Sequence, residues 1–224
     1  MDLMEETVNK EDSERLLSQE SLKRSGKAKG GKFPDLNKDG KLSSYETKRG
    51  MAIEKAMKEY GMKASFKATG QTGVLIAENG VAIDAIISDF ISGAVEWLSP
   101  DNEEDHWDII EGQGSLFHPS FAGVSLGLLH GSQPDKFIVC HEPTRSNMRG
   151  VKNKLPSISE VISKTIELGK LTNPDITCAG IALNTSNMLN SPEDMKKLIS
   201  DKYSIPCLDP LKDDLSDFIN MINK

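Results

Sequence analysis

The 224-residue sequence predicts a three-layer α/β domain built around a mostly parallel sheet. Two short apolar runs, residues 107–110 and 137–140, are rich in Ile and Val and end abruptly in polar or glycine residues. Runs of this kind are typical of strands that are buried on both faces. Amphipathic segments with a period of 3.6 residues accompany these runs along the chain. Strands that alternate with helices favour a parallel sheet with helices on both faces.

The composition argues against several classes of protein. A net charge of −7 and a pI near 5.2 argue against a general nucleic-acid-binding protein. No apolar run approaches the roughly 20 residues that a membrane span requires, and the acidic N-terminus does not resemble a secretory signal. Three cysteines, an odd number, lie far apart in apolar runs, which predicts buried, reduced thiols in a cytoplasmic protein.

Residues 1–32 are predicted to form a disordered, charged tail. Within this segment, residues 22–32 carry five basic residues, three glycines and no acidic residue. Such a composition buries too little apolar surface to offset the entropy that ordering costs. The pattern therefore predicts a solvated tail, and an arm that contacts a polyanion is the alternative.

Residues 33–50 contain a loop with the spacing of a calcium-binding EF-hand. Residues 35–46 place oxygen donors at the ligand positions of the twelve-residue loop and a glycine at its sharp turn. The predicted ligands are Asp35, Asn37, Asp39, Lys41 through its carbonyl, Ser43 and Glu46. The preceding segment does not resemble a helix and no second loop is present to pair with it, so we expect weak Ca²⁺ binding. The alternative is an Asx-rich turn that caps the following helix and binds no metal.

Residues 51–224 alternate between predicted helices and strands. An amphipathic helix is predicted at 51–60, and the 3.6-residue period over 83–98 predicts a second, longer helix. A capping box opens a helix at Ser157, and Pro192 follows the N-cap residue of another. Strands are also predicted at 63–68, 176–183 and 205–208, and a last helix at 211–222.

Five segments carry a resemblance to a known family. They are ATGQTG at 68–73, GVAIDAIISDFISGAVEWL at 80–98, IIEGQGSLFHPSFAGVSLGLLHGSQPD at 109–135, CHEPTR at 140–145 and GIALNTS at 180–186. Together they resemble a bacterial family that includes D-glutamate N-acetyltransferase, and the resemblance covers residues 51–224. Its members combine an N-terminal Rossmann-like domain with a C-terminal P-loop domain similar to dethiobiotin synthetase. The resemblance implies a P-loop NTPase-like fold, a D-amino acid substrate, acetyl-CoA as acetyl donor and a bound Mg²⁺.

The phosphate-binding loop is where the sequence departs from the family pattern. The family has Gly-Lys at the end of a glycine-rich loop, and counting back from the helix at 51–60 places Tyr45-Glu46 there. An acidic residue repels phosphate, so we expect ATP and acetyl-CoA to bind poorly and acetyl transfer to be impaired. The alternatives are a nucleotide-dependent ligase or kinase-like protein, and a non-catalytic remnant that binds calcium weakly. A homo-oligomer and a partner chain that supplies the missing N-terminal domain both stay open.

Polar residues that follow the predicted strands form the candidate active site, because parallel sheets bind ligands beyond the carboxyl ends of their strands. The resemblance implies that Glu111 is a magnesium-linked carboxylate, and its alternative is a carboxylate that caps a tight turn. His118 is the predicted general base, His141 is a further catalytic candidate, and Arg145 is a predicted ligand for a carboxylate or phosphate. A packed, structural histidine is the alternative for His118. The predicted cofactor-binding residues are Thr69, Gly70, Gln71, Thr72, Gly112, Gln113, Gly114 and Asn184.

Overall fold

Helices and strands alternate along the described chain. The structure is a computed structural model that describes residues 45–77, 79–189 and 191–223. The predicted tail and the predicted calcium-binding loop lie outside the described residues, apart from the backbone of Tyr45 and Glu46. The helices are α1 (Tyr45–Glu59), α2 (Gln71–Ala77), α3 (Ile91–Leu98), α4 (Ala122–Ser132), α5 (Ile158–Gly169), α6 (Pro192–Tyr203) and α7 (Ser216–Ile222). The strands are β1 (Lys63–Lys67), β2 (His106–Ile110), β3 (Lys136–His141), β4 (Thr177–Leu183) and β5 (Cys207–Leu208).

All paired strands are parallel, which confirms the predicted fold class. β1 pairs with β2 from Lys63 opposite His106 onward. β4 lies between β3 and β5, and its register with β3 shifts between Phe137 and Ile138. In the described part of the chain the strands therefore form two sheets, β1–β2 and β3–β4–β5. Parallel neighbours require crossover connections, and a helix lies between each pair of consecutive strands.

Helices cover both faces of the strands. On one face α1 and α7 bury Met57 and Phe218 against apolar residues of β1, β2, β3 and β4. On the opposite face α5 and α6 pack on β3, β4 and β5 around Ile181, while α3 and α4 pack with Ile110 of β2. Because one helical layer contacts strands of both sheets, the two sheets share a single apolar core on that side. Burial of these side chains is the dominant stabilising contribution to such a fold.

The prediction of one long helix over 83–98 is wrong for the first half of that segment. Two 3-10 turns, Ile83–Ala85 and Ser88–Phe90, precede α3, and Ile86 has extended backbone angles between them. The segment is held by the end of β1, because the amide of Ile83 donates to the carbonyl oxygen of Thr69 at 2.8 Å. Hydrogen bonds to the neighbouring strand thus replace those that a continuous helix would make.

Other element boundaries also differ from the sequence prediction. α1 is already helical at Tyr45, six residues before the predicted start at residue 51, and α7 begins at Ser216 instead of Leu211. Asp209 explains the late start of α7. Its carbonyl oxygen accepts from the amide of Lys212 and its carboxylate accepts from the amide of Leu211, which holds the chain in a turn. α2 and α4 form where no helix is predicted.

Residue types explain the structure at two helix ends. The side chain of Ser157 accepts from the amide of Glu160 at 3.2 Å, and the carboxylate of Glu160 accepts from the amide of Ser157 at 2.8 Å. These reciprocal bonds are the predicted capping box. Gly61 follows α1 with φ of 79°, a left-handed conformation that glycine adopts without strain. None of the described helices is both long and apolar enough to cross a membrane.

The contact between α3 and α4 generates a prediction for stability. A Cβ at Gly131 would lie 2.5 Å from the backbone oxygen of Ser92, whereas a Cβ at Gly123 of the same helix would meet nothing within 4 Å. We expect Gly131→Ala to lower the free energy of unfolding by about 1–3 kcal/mol through overpacking. Gly123→Ala should leave it unchanged or raise it by up to about 1 kcal/mol. Urea denaturation of both variants measures the difference, and equal stabilities would contradict the close backbone contact.

Candidate active site at the carboxyl ends of the strands

Polar residues follow the carboxyl end of each described strand. Their side chains are buried or half-buried, in contrast to the exposed polar residues of the outer helix surfaces. They are Thr69 after β1, Glu111 after β2, His141 and Glu142 at the end of β3, Asn184 and Thr185 after β4, and Asp209 after β5.

The carboxylate of Glu111 binds the turn that follows β1. Glu111 is only 4% exposed, and its Oε2 accepts from the amides of Thr69 at 2.9 Å and Gly70 at 3.0 Å. The hydroxyl of Thr69 donates to the carbonyl oxygen of Glu111 at 2.7 Å. Gly73 leaves room for this carboxylate, because a Cβ at that position would overlap it. The carboxylate therefore caps the N-terminus of α2 and joins the ends of β1 and β2.

The segment after Glu111 adds further bonds to the same turn. The side-chain amide of Gln113 donates to the hydroxyl of Thr69 at 2.9 Å, and the carbonyl oxygen of Gln113 accepts from the hydroxyl of Ser125 in α4. Gly114 has φ of 48°, and a Cβ there would lie 2.6 Å from the Cβ of Phe121. Glycine is therefore required at this position by both backbone conformation and space.

Three further predicted residues are close in sequence to Glu111 or to the residues that bind its carboxylate. Gln71 and Thr72 begin α2, and the side-chain amide of Gln71 donates to the Asp84 carboxylate at 3.1 Å on the exposed surface. Gly112 has open space around its Cα, because a Cβ there would meet nothing within 4 Å. Their assignment to cofactor binding stays a prediction.

His118 is held by two hydrogen bonds. It is 7% exposed, its Nε2 lies 2.9 Å from the carbonyl oxygen of Arg149, and its Nδ1 accepts from the amide of Ser120 at 3.1 Å. These partners require the tautomer in which Nε2 carries the proton. The ring also lies 4.5 Å from the ring of Phe121. Because a general base needs a ring nitrogen that can accept a proton from substrate, this geometry favours a structural role over the predicted catalytic one.

The segment from His141 to Arg145 forms a turn held by Glu142. The Nε of Arg145 lies 2.7 Å from the Glu142 carboxylate, which also accepts from Asn187 at 3.0 Å and from Thr144 at 3.2 Å. The side chain of Arg145 remains 47% exposed. Burial lowers the pKa of His141 below its ordinary value, and the negative charge of Glu142 opposes that effect only in part. His141 is therefore a neutral imidazole at neutral pH.

A second network links the ends of β4 and β5. The hydroxyl of Thr185 donates to the Asp209 carboxylate at 2.5 Å and accepts from Lys212 at 2.6 Å. Burial alone would raise the pKa of Asp209, but bonds from Thr185 and Leu211 and the charge of Arg49 hold it below its usual value. Asn184 caps its own turn, because its side-chain oxygen accepts from an amide two residues on, at 3.0 Å. This bond gives the side chain of Asn184 a structural role, and its role in cofactor binding stays a prediction.

The guanidinium of Arg49 lies beneath these turns. Arg49 comes from the first half of α1, is 2% exposed, and donates through Nη1 to the carbonyl oxygen of Ala182 at 3.1 Å. Burial lowers the pKa of Arg49, while Cys140, Asp209 and Glu142 act in the opposite direction. The guanidinium thus supplies positive charge to the carboxylates that follow β3 and β5.

The three cysteines occupy different environments. Cys207 is buried and Cys178 is half-buried, and burial raises the pKa of their thiols to about 12 and about 11. Cys140, near the end of β3, is exposed, so the expectation that all three thiols are buried is wrong for this residue. Its position near the end of an outer strand of the β3–β4–β5 sheet explains the exposure.

The described residues do not assemble a metal site. Nowhere in 45–77, 79–189 and 191–223 do three His, Cys, Asp or Glu side chains come close enough together to hold a metal ion. The Glu111 carboxylate, implied by resemblance to be linked to Mg²⁺, accepts two backbone hydrogen bonds. Both bonds are made to the same carboxylate oxygen, Oε2, and binding of Mg²⁺ by Glu111 stays a prediction.

Arg49, Glu142, Thr185, Asp209 and Lys212 are site residues that the sequence patterns do not single out. Asp209 follows a strand, so the rule that found Glu111 applies to it, but β5 has only two residues and its end is hard to place. Arg49 has no local signal, because its hydrogen-bond partner lies 133 residues away in the sequence. The turns at Thr69 and Glu111 bond to each other, whereas the segment after β3 bonds to the loop after β4.

Parallel strands covered by helices, with polar turns at their carboxyl ends, define an α/β protein of the class that binds small molecules at that edge. The chain belongs to the family described as "Domain of unknown function (DUF1611_C) P-loop domain", whose model matches residues 48–219. The matched region contains every described strand. The family predicted from the sequence motifs is thereby confirmed.

The chain is similar to two proteins named D-glutamate N-acetyltransferase. It is 49% identical over 195 residues to one from Pseudoalteromonas sp, covering 86% of this chain and 58% of that protein. It is 45% identical over 165 residues to one from Tritonibacter scottomollicae, covering 72% of this chain and 49% of that protein. The chain therefore spans about half the length of the curated relatives that it matches.

A solved structure supports the same fold. The crystal structure of a DUF1611 family protein from Anabaena variabilis ATCC 29413 superposes with a TM-score of 0.74 at 29% sequence identity. The similarity covers 80% of this chain and 53% of that chain. The arrangement of strands and helices described here is thus one that this family adopts.

The hydrogen bonds of Glu111 generate a prediction about its contribution to stability. We expect Glu111→Ala to lower the free energy of unfolding by about 1–3 kcal/mol, because buried amides of Thr69 and Gly70 lose their acceptor. Glu111→Gln keeps an oxygen acceptor and should lose less. Glu103→Ala is the control, since Glu103 makes an exposed ion pair that contributes about 0–1 kcal/mol. Thermal and urea denaturation measure the effect, and a Glu111→Ala variant as stable as the control would contradict the capping role.

Proposed function

We propose that the chain is an acyltransferase-type protein that transfers an acetyl group from acetyl-CoA to the amine of a D-amino acid such as D-glutamate. The observation that carries this proposal is the 49% identity over 195 residues to a protein named D-glutamate N-acetyltransferase. In this reaction the amine attacks the thioester carbonyl, a C–N bond forms, and the C–S bond breaks as the thiolate leaves. A base must take the proton that the amine loses.

His141 supports the proposal as the general base. It lies at the carboxyl end of β3, and no hydrogen bond of its ring occurs among the contacts of the described residues. By contrast, the rings of His118 and His130 bind backbone carbonyl oxygens at 2.9 Å and 3.1 Å. Burial lowers the pKa of His141, so its neutral form, the form that accepts a proton, predominates at neutral pH.

Arg145 supports the proposal as the residue that binds a substrate carboxylate. Glu142 holds its Nε at 2.7 Å, which orients the guanidinium while the side chain stays 47% exposed. A guanidinium bonded through Nε also has two terminal nitrogens, which match the two oxygens of a carboxylate. His141 and Arg145 belong to one turn, because the amide of Arg145 donates to the carbonyl oxygen of Glu142 at 3.2 Å. A base and a carboxylate ligand on one turn suit an amino acid substrate.

We further propose that turnover by the chain alone is slow. The amides of Thr69 and Gly70, which could bind a phosphate or an oxyanion, already bind the Glu111 carboxylate. In addition, Tyr45-Glu46 stands where the family pattern has Gly-Lys. Binding of acetyl-CoA therefore depends on other donors, and its affinity should be low.

The other functional readings stay predictions from the sequence. A nucleotide-dependent ligase or kinase-like activity would need free phosphate donors, and the two amides nearest to Glu111 are engaged. Weak Ca²⁺ binding by residues 35–46 concerns side chains outside the described residues. A cytoplasmic location, a homo-oligomer and a partner chain also stay predictions.

Arg145 provides the first test of the proposed activity. The full chain, supplied with acetyl-CoA and D-glutamate, should release free thiol slowly but above the rate without protein, and faster than with L-glutamate. Arg145→Lys should raise KM for D-glutamate by roughly tenfold, because a lysine cannot bind a carboxylate through two parallel bonds. Arg149→Lys is the matched control, since the side chain of Arg149 is exposed and only its carbonyl oxygen is used. No thiol release above background at any protein concentration would refute the proposed activity.

The pKa of His141 provides a second test. The base must be neutral to act, so kcat/KM should rise with pH and level off with a midpoint below 6.5, the ordinary value for histidine. His141→Gln should lower kcat and remove this acid limb from the pH profile. His130→Gln is the control and should retain the limb, because His130 bonds to α5 through the carbonyl oxygen of Leu168. A midpoint that is unchanged in His141→Gln would assign the base to another residue.

A further inference from the structure

A stripe of exposed aromatic side chains lies along the outer side of α3. Phe90, which immediately precedes the helix, is 65% exposed and Trp97 is 74% exposed, and Ile87 adds further exposed apolar surface. Gly93 lies between the two rings on the same side, because positions i, i+3 and i+7 of a helix face one way. A Cβ at Gly93 would meet nothing within 4 Å. The two aromatic rings therefore flank an open notch, and the stripe is about 10 Å long.

The opposite side of α3 is fixed in the core. Ile91 and Val95 are buried against α4, and Gly127 and Gly131 of α4 allow close approach of the two helices. A Cβ at Gly127 would lie 2.6 Å from the side chain of Ile91. The helix therefore cannot rotate to bury Phe90 and Trp97 without breaking this contact. The aromatic stripe is a permanent feature of the surface of this domain.

The segment that carries the stripe has charges of one sign. Residues 68–135 contain 11 acidic residues and no lysine or arginine, whereas the whole chain carries 27 basic residues. Asp89 and Glu96 are exposed and lie next in sequence to Phe90 and Trp97. An apolar surface rimmed by acidic groups attracts a partner that combines apolar side chains with positive charge.

We propose that the outer side of α3 binds an amphipathic helix whose apolar face is rimmed by lysine or arginine, contributed by a separate polypeptide. The apolar face of the partner packs over Gly93 between the rings of Phe90 and Trp97, in the manner of one helix ridge in the groove of another. Its basic residues pair with Asp89 and Glu96. This surface is independent of the proposed active site.

A second copy of the chain does not fit the same surface. Two copies of the stripe would bring Asp89 and Glu96 of each copy close to those of the other, and like charges in contact are unfavourable.

Peptide binding tests the proposal directly. The full chain is titrated into a fluorescent amphipathic helical peptide of leucine and lysine, and into a matched peptide with glutamate in place of lysine. We expect the lysine peptide to bind, to shift tryptophan emission to shorter wavelength, and to bind more weakly as salt is raised. The glutamate peptide should not bind. Absence of binding by the lysine peptide, or equal binding of the two peptides, would overturn the proposal.

Variants of the chain locate the binding surface. Asp89→Lys with Glu96→Lys, and separately Gly93→Leu, should each weaken binding of the lysine peptide by roughly tenfold or more. Asp194→Lys with Asp201→Lys is the control, because it makes the same change in net charge at exposed positions on α6. Equal losses in the control would show binding governed by net charge alone and would overturn the proposal. A wild-type dimer in light scattering that Phe90→Ser dissociates would also overturn it, because a second copy would then be the occupant.

Discussion

The buried guanidinium of Arg49 is the interaction on which the candidate site depends. A buried charge is costly unless it is paired and hydrogen-bonded, so the chain has to place acceptors around it. The carbonyl oxygen of Ala182 is one acceptor, and Glu142 and Asp209 supply negative charge. Because α1 also packs on β1 and β2, this contact connects the helix that spans both sheets to the ends of β3, β4 and β5. The carboxylates that follow β3 and β5 thus share the charge of one buried cation.

The two halves of the candidate site differ in how far their polar groups are satisfied within the chain. Around Glu111 the carboxylate, the amides of Thr69 and Gly70 and the side chain of Gln113 bond to one another, which rigidifies the turn and leaves little for a ligand. After β3, by contrast, Arg145 is oriented by a carboxylate but half exposed. The amides near Glu111 are thus engaged within the chain, whereas the guanidinium of Arg145 is accessible to solvent.

The sequence predicts those features that depend on local or repeating patterns. β4 reads as a continuous apolar run because most of its residues are buried on both faces, and the capping box at Ser157 involves two residues three positions apart, so both can be read directly. The segment at 83–98 has helical periodicity throughout, yet bonds to the end of β1 break it, and Phe90 points to solvent despite its apolar character. The role of Arg49 depends on residues distant in sequence, and the engagement of His118 depends on Arg149, so neither follows from spacing.

The three thiols differ in exposure, which allows selective modification of the one near the carboxyl end of β3. A thiol reacts with alkylating reagents as its thiolate, and the raised pKa values of Cys178 and Cys207 leave almost none of that form near neutral pH. Cys140 is the exposed thiol, and it immediately precedes His141. We therefore expect a maleimide dye to attach to Cys140, beside the proposed base, without any engineered cysteine. Its emission would report occupancy of this turn in the wild-type chain.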